Sequence, residues 1–117
     1  MTTVANYLIM IYDNEAELAG ADASVVDEEL RHHATFAEKY GYALRGGAQL
    51  TNGATATSIR HHSDGTTTVT DGTFAETKEV LGGYYVVEAA DLDEAMEIAK
   101  HVPARFGGVE VRPMVSG

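Results

Sequence analysis

The segment VANYLIMIY, residues 4 to 12, is apolar on both of the side-chain sets that alternate along an extended chain. One set comprises Tyr7, Ile9 and Ile11, and the other comprises Leu8, Met10 and Tyr12. Side chains of the two sets project from opposite faces of a strand, so this strand needs a cover on each face. The segment therefore predicts a central strand with a packed layer on either side.

The rest of the chain predicts two helices and further strands. YYVVEA (84–89) is again apolar on both faces, whereas GVEVRPM (108–114) alternates until Pro113. We expect a first helix over residues 24–40, with Ser24 as its N-cap and Gly41 after its end, and a second helix that begins at Asp91. The Thr- and Gly-rich middle predicts short strands, with a hairpin in SIRHHSDGTTTVT.

This order of elements predicts an α+β fold. A strand, a helix, short strands, a strand, a helix and a strand form the ferredoxin-like split βαβ pattern, here with an inserted β-hairpin. The length of 117 residues fits a single domain over 1–117. Both helices would cover one face of the sheet, so we expect a homodimer in which two sheets pack face to face.

Composition excludes several classes of function. The chain has 8 Lys and Arg against 18 Asp and Glu, a net charge of -10, which disfavours binding to nucleic acid or to an anionic membrane. It has no cysteine, hence no thiol nucleophile, and its five histidines lack a metal-ligand spacing. We expect neither metal nor cofactor. The N-terminus resembles neither a signal peptide nor a membrane span, so the expected location is cytoplasmic.

His33 is the most informative single residue, because it falls near the centre of the apolar half of the first helix. Glu29 lies one turn earlier, where its carboxylate could hold the imidazole in one tautomer. Two interpretations stay open. His33 is either a core histidine satisfied by a structural partner or an acid–base group facing a ligand.

The acidic loop from Asp71 to Glu79 is the second candidate region. Its charges, which include Glu76 and Lys78, could simply be solvated around an Asp-Gly turn. Phe74 favours a loop anchored by a buried ring, since burial of such a side chain contributes about 1.5 to 3 kcal/mol. An anchored loop near His33 would form a pocket wall. The double glycine that follows, Gly82-Gly83, permits a bulge or a close backbone approach.

The segments TVTDGTFAETKEVLGGYYVVEAADLDEAMEIAKHVPA and GGVEVRPM, with YLIMIYDNEAE and FAEKYG before them, resemble the DGPF-type branch of the YCII-related proteins. Thr73 occupies the proline position of the DGPF signature. The resemblance implies a ferredoxin-like fold assembled as a dimeric α/β barrel. It also implies a site built from a histidine and an aspartate, which by location match His33 and Asp71.

Three functional hypotheses follow. In the first, the protein binds or converts a small molecule, with His33 and Asp71 as catalytic residues and Glu29, Phe74, Glu76 and Lys78 as substrate-binding residues. In the second, it is a non-catalytic accessory partner of an extracytoplasmic-function sigma factor, a hypothesis motivated by the net charge and by the gene context that the resemblance implies. In the third, it is a structural dimer without a ligand.

Overall fold

The chain forms a four-stranded antiparallel sheet and a separate two-stranded hairpin. The computed structural model describes residues 4–74 and 77–116. In chain order, its elements are β1 (Ala5–Asn14), α1 (Glu15–Ala19), α2 (Ala23–Lys39), β2 (Leu44–Gln49), a 3-10 turn (Gly53–Thr55), β3 (Thr57–His61), β4 (Thr67–Asp71), β5 (Glu79–Ala89), α3 (Leu92–Lys100) and β6 (Gly107–Pro113).

The sheet has the spatial order β2-β5-β1-β6, so the two strands that are apolar on both faces are its central strands. β1 pairs antiparallel with β5 on one side and with β6 on the other, and Ile9 lies opposite both Tyr85 and Val111. With the β3–β4 hairpin set aside, this is the strand order of the ferredoxin-like fold. The predicted fold is confirmed.

The core lies between the sheet and the helices α2 and α3. Ile9 of β1, Val87 of β5 and Ile98 of α3 are almost completely inaccessible, and Phe36 of α2 packs with them. Burial of each of these side chains contributes about 1.5 to 3 kcal/mol. Both helices therefore cover the same face of the sheet, as the order of elements predicts.

The opposite face of the sheet is apolar and is covered by no helix of the described residues. Its centre is formed by Leu8, Met10, Tyr84 and Val86, all of them half-buried. We call these four residues the open face. Its composition follows directly from the second alternating set of the two central strands.

The helix boundaries follow local capping chemistry. At the start of α3, the carboxylate of Asp91 accepts a hydrogen bond of 2.9 Å from the backbone N–H of Glu94, which confirms the predicted cap. The prediction for the first long helix was wrong by two residues, because Asp22 rather than Ser24 is its N-cap. Helix α1 was not predicted. It begins after Asn14, whose side chain accepts from the backbone N–H of Glu17.

The β3–β4 hairpin confirms the prediction for the middle of the chain. Its turn contains Gly65 with a φ of 88°, a value that favours glycine. Ser58 is the buried residue of the hairpin and donates from its hydroxyl to the carbonyl of Gly72 at 2.6 Å. The other side chains of the hairpin are exposed, so the hairpin is an arm that projects from the sheet. No helix in the described ranges is long and apolar enough to cross a membrane.

Candidate functional site

A cavity of about 330 Å³ lies between α2 and the helix-covered face of the sheet. Its walls are mainly apolar and aromatic, and they also carry a histidine and two carboxylates. The lining residues are Ile11, Asp13, Leu18, Val26, Glu29, Leu30, His33, Gly47, Ala48, Gln49, Gly82, Gly83, Tyr84, Tyr85, Pro103 and Phe106. A mainly apolar cleft with a few convergent polar groups is the usual form of a small-molecule site.

His33 projects from α2 into this cavity wall, as its position on the helix predicts. Its Nδ1 lies 2.8 Å from the phenol oxygen of Tyr85, within hydrogen-bond distance, and the tautomer decides which atom donates. Burial lowers the pKa of His33 below its ordinary value of 6.5, although the nearby Glu29 carboxylate acts in the opposite direction. Burial therefore favours the neutral imidazole.

Glu29 lies beside the other ring nitrogen of His33. Its Oε1 is 3.8 Å from Nε2, which is too long for a direct hydrogen bond. This oxygen is buried and has no hydrogen-bond partner among the described residues. A buried acceptor without a donor is costly, so the site has the capacity to accept one more hydrogen bond.

Asp13 is a site residue that the sequence reasoning missed. It lies near the end of β1, and burial raises its pKa above 3.8, with further contributions from the charges of Glu29 and Glu15. The signal was present in the sequence. Asp13 continues the alternating set of Tyr7, Ile9 and Ile11, the set that faces the helices, so its side chain belongs on the cavity side of the sheet.

The double glycine of β5 shapes the cavity wall next to Asp13. The strand pairing of β1 with β5 shifts between Ile11 and Tyr12, opposite Gly82, so the predicted bulge is present. A Cβ atom on Gly82 would collide with the carboxylate of Asp13. The absence of a side chain at Gly82 is therefore what allows the Asp13 carboxylate to lie over the β5 backbone.

Of the predicted loop residues that the structure describes, none lines this cavity. Asp71 is exposed at the end of β4, Lys78 is exposed before β5, and Glu76 lies outside the described residues. The expectation that a buried Phe74 anchors the loop was wrong, because its ring is 64% exposed and lies 4.6 Å from the guanidinium carbon of Arg60. The structure thus brings Glu29 together with His33 and leaves Asp71 outside the cavity lining.

The remaining histidines occupy other surfaces. His32 is half exposed and lies 3.8 Å from Glu28, His62 is 2.7 Å from the hydroxyl of Thr68, and the ring of His101 stacks near Tyr40. Within residues 4–74 and 77–116, no three His, Asp or Glu side chains are grouped so that they could hold a metal ion.

The comparisons with known proteins agree with this fold. The YCII-related domain matches residues 5–116. The chain belongs to the YCII-related family. An uncharacterized protein of Rhizobium meliloti (strain 1021), R00369, is 34% identical over 113 residues, which cover 92% of this chain and 90% of that protein.

A solved structure gives the same fold at lower identity. It is 5-chloro-2-hydroxyhydroquinone dehydrochlorinase (TftG) from Burkholderia phenoliruptrix AC1100, in complex with 2,5-dihydroxybenzoquinone. The TM-score is 0.54 at 17% identity, and the alignment covers 96% of this chain and 95% of that one. At this identity the likeness establishes the fold and leaves the reaction of this chain unassigned.

Proposed function

We propose that this YCII-related protein binds a small molecule in the cavity and that His33 exchanges a proton with it. One observation carries the proposal: the imidazole of His33 lines a cavity, with Nδ1 fixed by Tyr85 and Nε2 beside the buried Glu29 carboxylate. A histidine that is only structural would have its polar groups satisfied within the core, whereas here the adjacent Glu29 oxygen has no partner among the described residues.

The geometry suits general base catalysis. In the tautomer with the proton on Nδ1, that N–H donates to Tyr85, and the lone pair of Nε2 is free to accept a proton from a ligand. The negative charge of Glu29 beside Nε2 then stabilises the imidazolium that forms. Burial raises the pKa of the Tyr85 phenol, so this hydroxyl keeps its proton and stays a neutral partner.

The size of the cavity supports a ligand of about one ring. A space of about 330 Å³ falls within the usual range for small-molecule sites. TftG, which has the same fold, is in complex with 2,5-dihydroxybenzoquinone, a single-ring molecule. This supports the cavity as a ligand site. The proposal does not extend to the reaction of TftG.

A metabolite panel tests the proposal by thermal shift on the wild type and on His33→Ala. The expected result is at least one compound that stabilises the wild type and loses its effect in His33→Ala. His32→Ala is the matched control, because His32 is the neighbouring residue on α2 but lies at the surface. A panel without a stabilising compound would leave the structural dimer without a ligand as the better hypothesis.

We also propose that the protein is a homodimer joined through the open face. Leu8, Met10, Tyr84 and Val86 present a contiguous apolar surface on the two central strands. Such patches are rare on soluble monomers unless a partner covers them. A second copy offers an equally apolar surface of the same shape, which makes a two-fold interface self-complementary.

Asp71 stays a predicted partner of His33. Since it is exposed on the hairpin and absent from the cavity lining of its own chain, a second copy would have to supply it. The stabilising compounds of the metabolite panel test whether Asp71 takes part in the site. If Asp71 takes part, Asp71→Asn will weaken the ligand effect as His33→Ala does; if it does not, Asp71→Asn will behave as the wild type.

The accessory hypothesis, binding to an extracytoplasmic-function sigma factor, also stays a prediction. It is supported by the net charge of -10 and does not require the cavity. A pull-down at low salt with a sigma factor encoded beside the protein tests it. Binding that survives in His33→Ala would support the accessory hypothesis, and recovery of nothing would count against it.

A further inference from the structure

We propose that the ligand of the cavity is a small amine, bound as its ammonium cation between Asp13 and Glu29, with an apolar body against the aromatic wall. This inference rests on the proposed function, because it requires the cavity to be a ligand site. Beyond the proposed function, it specifies the charge and the polar group of the ligand. It also gives Asp13, which the sequence reasoning did not select, the role of a specificity-determining residue.

The charges of the cavity lining exclude anions. Among the described residues that line it, two are carboxylates, Asp13 and Glu29, and none is lysine or arginine. Burial lowers the pKa of His33, which favours its neutral form over the imidazolium cation. A carboxylate or phosphate ligand would lose its hydration, meet two like charges and gain no cationic partner.

Glu29 lacks a donor that an ammonium group can supply. Its buried Oε1 has no hydrogen-bond partner among the described residues and is 3.8 Å from Nε2 of His33. An ammonium nitrogen carries three donors and can lie about 2.8 Å from such an oxygen. A neutral hydroxyl could also donate there, but it would leave the negative charge of Glu29 uncompensated.

Asp13 strengthens the preference for a cation. Its carboxylate lies over Gly82 in the same cavity wall. Burial is the main cause of its raised pKa, and repulsion by the negative charges of Glu29 and Glu15 adds to it. A cation placed between Asp13 and Glu29 relieves this repulsion and favours both ionised forms.

The remaining wall suits an apolar body. Tyr85 and Phe106 line the cavity together with aliphatic residues such as Ile11 and Val26. Aromatic faces attract a nearby cation as well as burying an apolar ring. A single-ring amine therefore matches both the walls and the two carboxylates.

Three sets of matched probes test the charge of the ligand. Every probe has one ring, and the three members of a set differ in the polar group, which is an amine, an alcohol or a carboxylate. The sets are tyramine, tyrosol and 4-hydroxyphenylacetate; benzylamine, benzyl alcohol and benzoate; and cyclohexylmethylamine, cyclohexanemethanol and cyclohexanecarboxylate. Binding to the wild type is measured by ligand-observed NMR and calorimetry at pH 7.5. We expect at least one amine to bind at least tenfold more tightly than its alcohol, and no acid to bind.

Isosteric variants assign the effect to the two carboxylates. Glu29→Gln and Asp13→Asn keep the shape of each side chain and remove its charge. Each is expected to weaken the amine by about tenfold to one hundredfold, the effect of one charge-assisted hydrogen bond. Glu38→Gln is the matched control, since Glu38 lies on the exposed side of the same helix and should leave binding unchanged. Urea unfolding of each variant confirms that it is folded.

Each other outcome overturns the inference. Alcohols that bind as tightly as their amines, or acids that bind, would show that the cavity does not recognise a cation. An amine that binds to Glu29→Gln and Asp13→Asn as tightly as to the wild type would show that these two carboxylates do not recognise it. If no amine binds while the metabolite panel yields a compound that depends on His33, the ligand class is wrong and the proposed function stands. If neither experiment yields a ligand, both are wrong.

Discussion

At the scale of single residues, the two ring nitrogens of His33 lie at unequal distances from their polar neighbours. His33 is fixed on one side by Tyr85 at 2.8 Å and meets Glu29 on the other side at 3.8 Å. The first contact is a hydrogen bond and the second leaves a buried oxygen without a partner among the described residues. The two sides of the imidazole therefore differ in function, one positioning the ring and the other open to a ligand.

Removal of the Tyr85 hydroxyl should cost stability. Tyr85→Phe deletes the hydrogen bond to His33 and leaves the aromatic packing against Phe36 in place. The free energy of unfolding in urea should fall by about 1 kcal/mol, the usual contribution of such a bond. Tyr42→Phe, at a ring that is 69% exposed, is the control and should change nothing measurable. Equal values for the two variants would contradict the role of this bond.

The lowered pKa of His33 should make stability depend on pH. As the pH falls below 6.5, the unfolded chain takes up a proton before the folded chain does, because burial lowers the pKa of His33 in the folded state. The contribution of this residue is therefore constant above pH 6.5 and decreases as the pH falls through the pKa of the folded state. His33→Asn should reduce the slope of unfolding free energy against pH in this window.

The matched variant for this pH dependence is His32→Asn, at the exposed neighbour on the same helix. It should keep the slope of the wild type. The ring protons of His33, followed by NMR, should shift with a midpoint below 6.5. A midpoint above 6.5 would mean that the charge of Glu29 outweighs burial.

At the scale of secondary structure, the bulge in β5 positions the carboxylate of Asp13. Gly82 interrupts the regular pairing with β1 and leaves space that the Asp13 side chain occupies. A bulge of this kind re-aims side chains next to functional sites. β5 thus determines where the Asp13 carboxylate lies, although Asp13 belongs to β1.

Gly82→Ala should displace Asp13 and disturb the ligand site more than the fold. The added methyl group meets the end of a flexible side chain, which can rotate away, so unfolding free energy should change by less than about 1 kcal/mol. Affinity for any ligand of the cavity should fall at least fivefold in a calorimetric titration. Gly108→Ala is the control, because a Cβ there would meet nothing within 4 Å. Unchanged affinity in Gly82→Ala would show that Asp13 is not needed.

The sequence predicted those elements whose signals are local. The cap at Asp91 and the Asp64-Gly65 turn are each decided by a few neighbouring residues, and the structure has both. The start of α2 was misplaced because Ser24 and Asp22 are both acceptable N-caps, and the helix begins after the earlier one, whose side chain makes no capping hydrogen bond. Helix α1 spans only five residues, too few for an apolar period to be recognised.

The site was predicted in part for the same reason. His33 and Glu29 share one helix, so their proximity follows from helical spacing alone. Tyr85 and Asp13 reach the cavity through the pairing of β1 with β5, which depends on contacts between residues about 70 positions apart in the chain, and no local pattern specifies that register. Phe74 was expected to be buried from its type alone, and the stacking of Arg60 on its exposed ring had no signal in spacing.

At the scale of the whole molecule, a single chain is flat and extended. Its principal extents are 47, 42 and 17 Å, and its radius of gyration is 16.4 Å. A compact domain of this length would have a radius of about 13 to 14 Å. The projecting hairpin and the uncovered open face both contribute to this shape.

Sedimentation velocity should therefore show a dimer at micromolar concentration. Val86→Asp places a charge at the centre of the open face and should shift the protein to monomers, because burial of an unpaired carboxylate at an interface is strongly unfavourable. Leu92→Asp is the matched control, since Leu92 lies on the outside of α3 and is 45% exposed. A wild type that sediments as a monomer throughout would exclude the interface.

The hairpin of β3 and β4 contributes none of the residues that line the cavity, and the chain leaves β2 and re-enters β5 at adjacent points, where the N–H of Leu50 donates to the carbonyl of Gly82 at 2.9 Å. Length and sequence can therefore vary along this arm while the walls around His33 stay the same. In evolution, such an arrangement lets what the arm touches change without any change in the cavity walls that the same chain supplies.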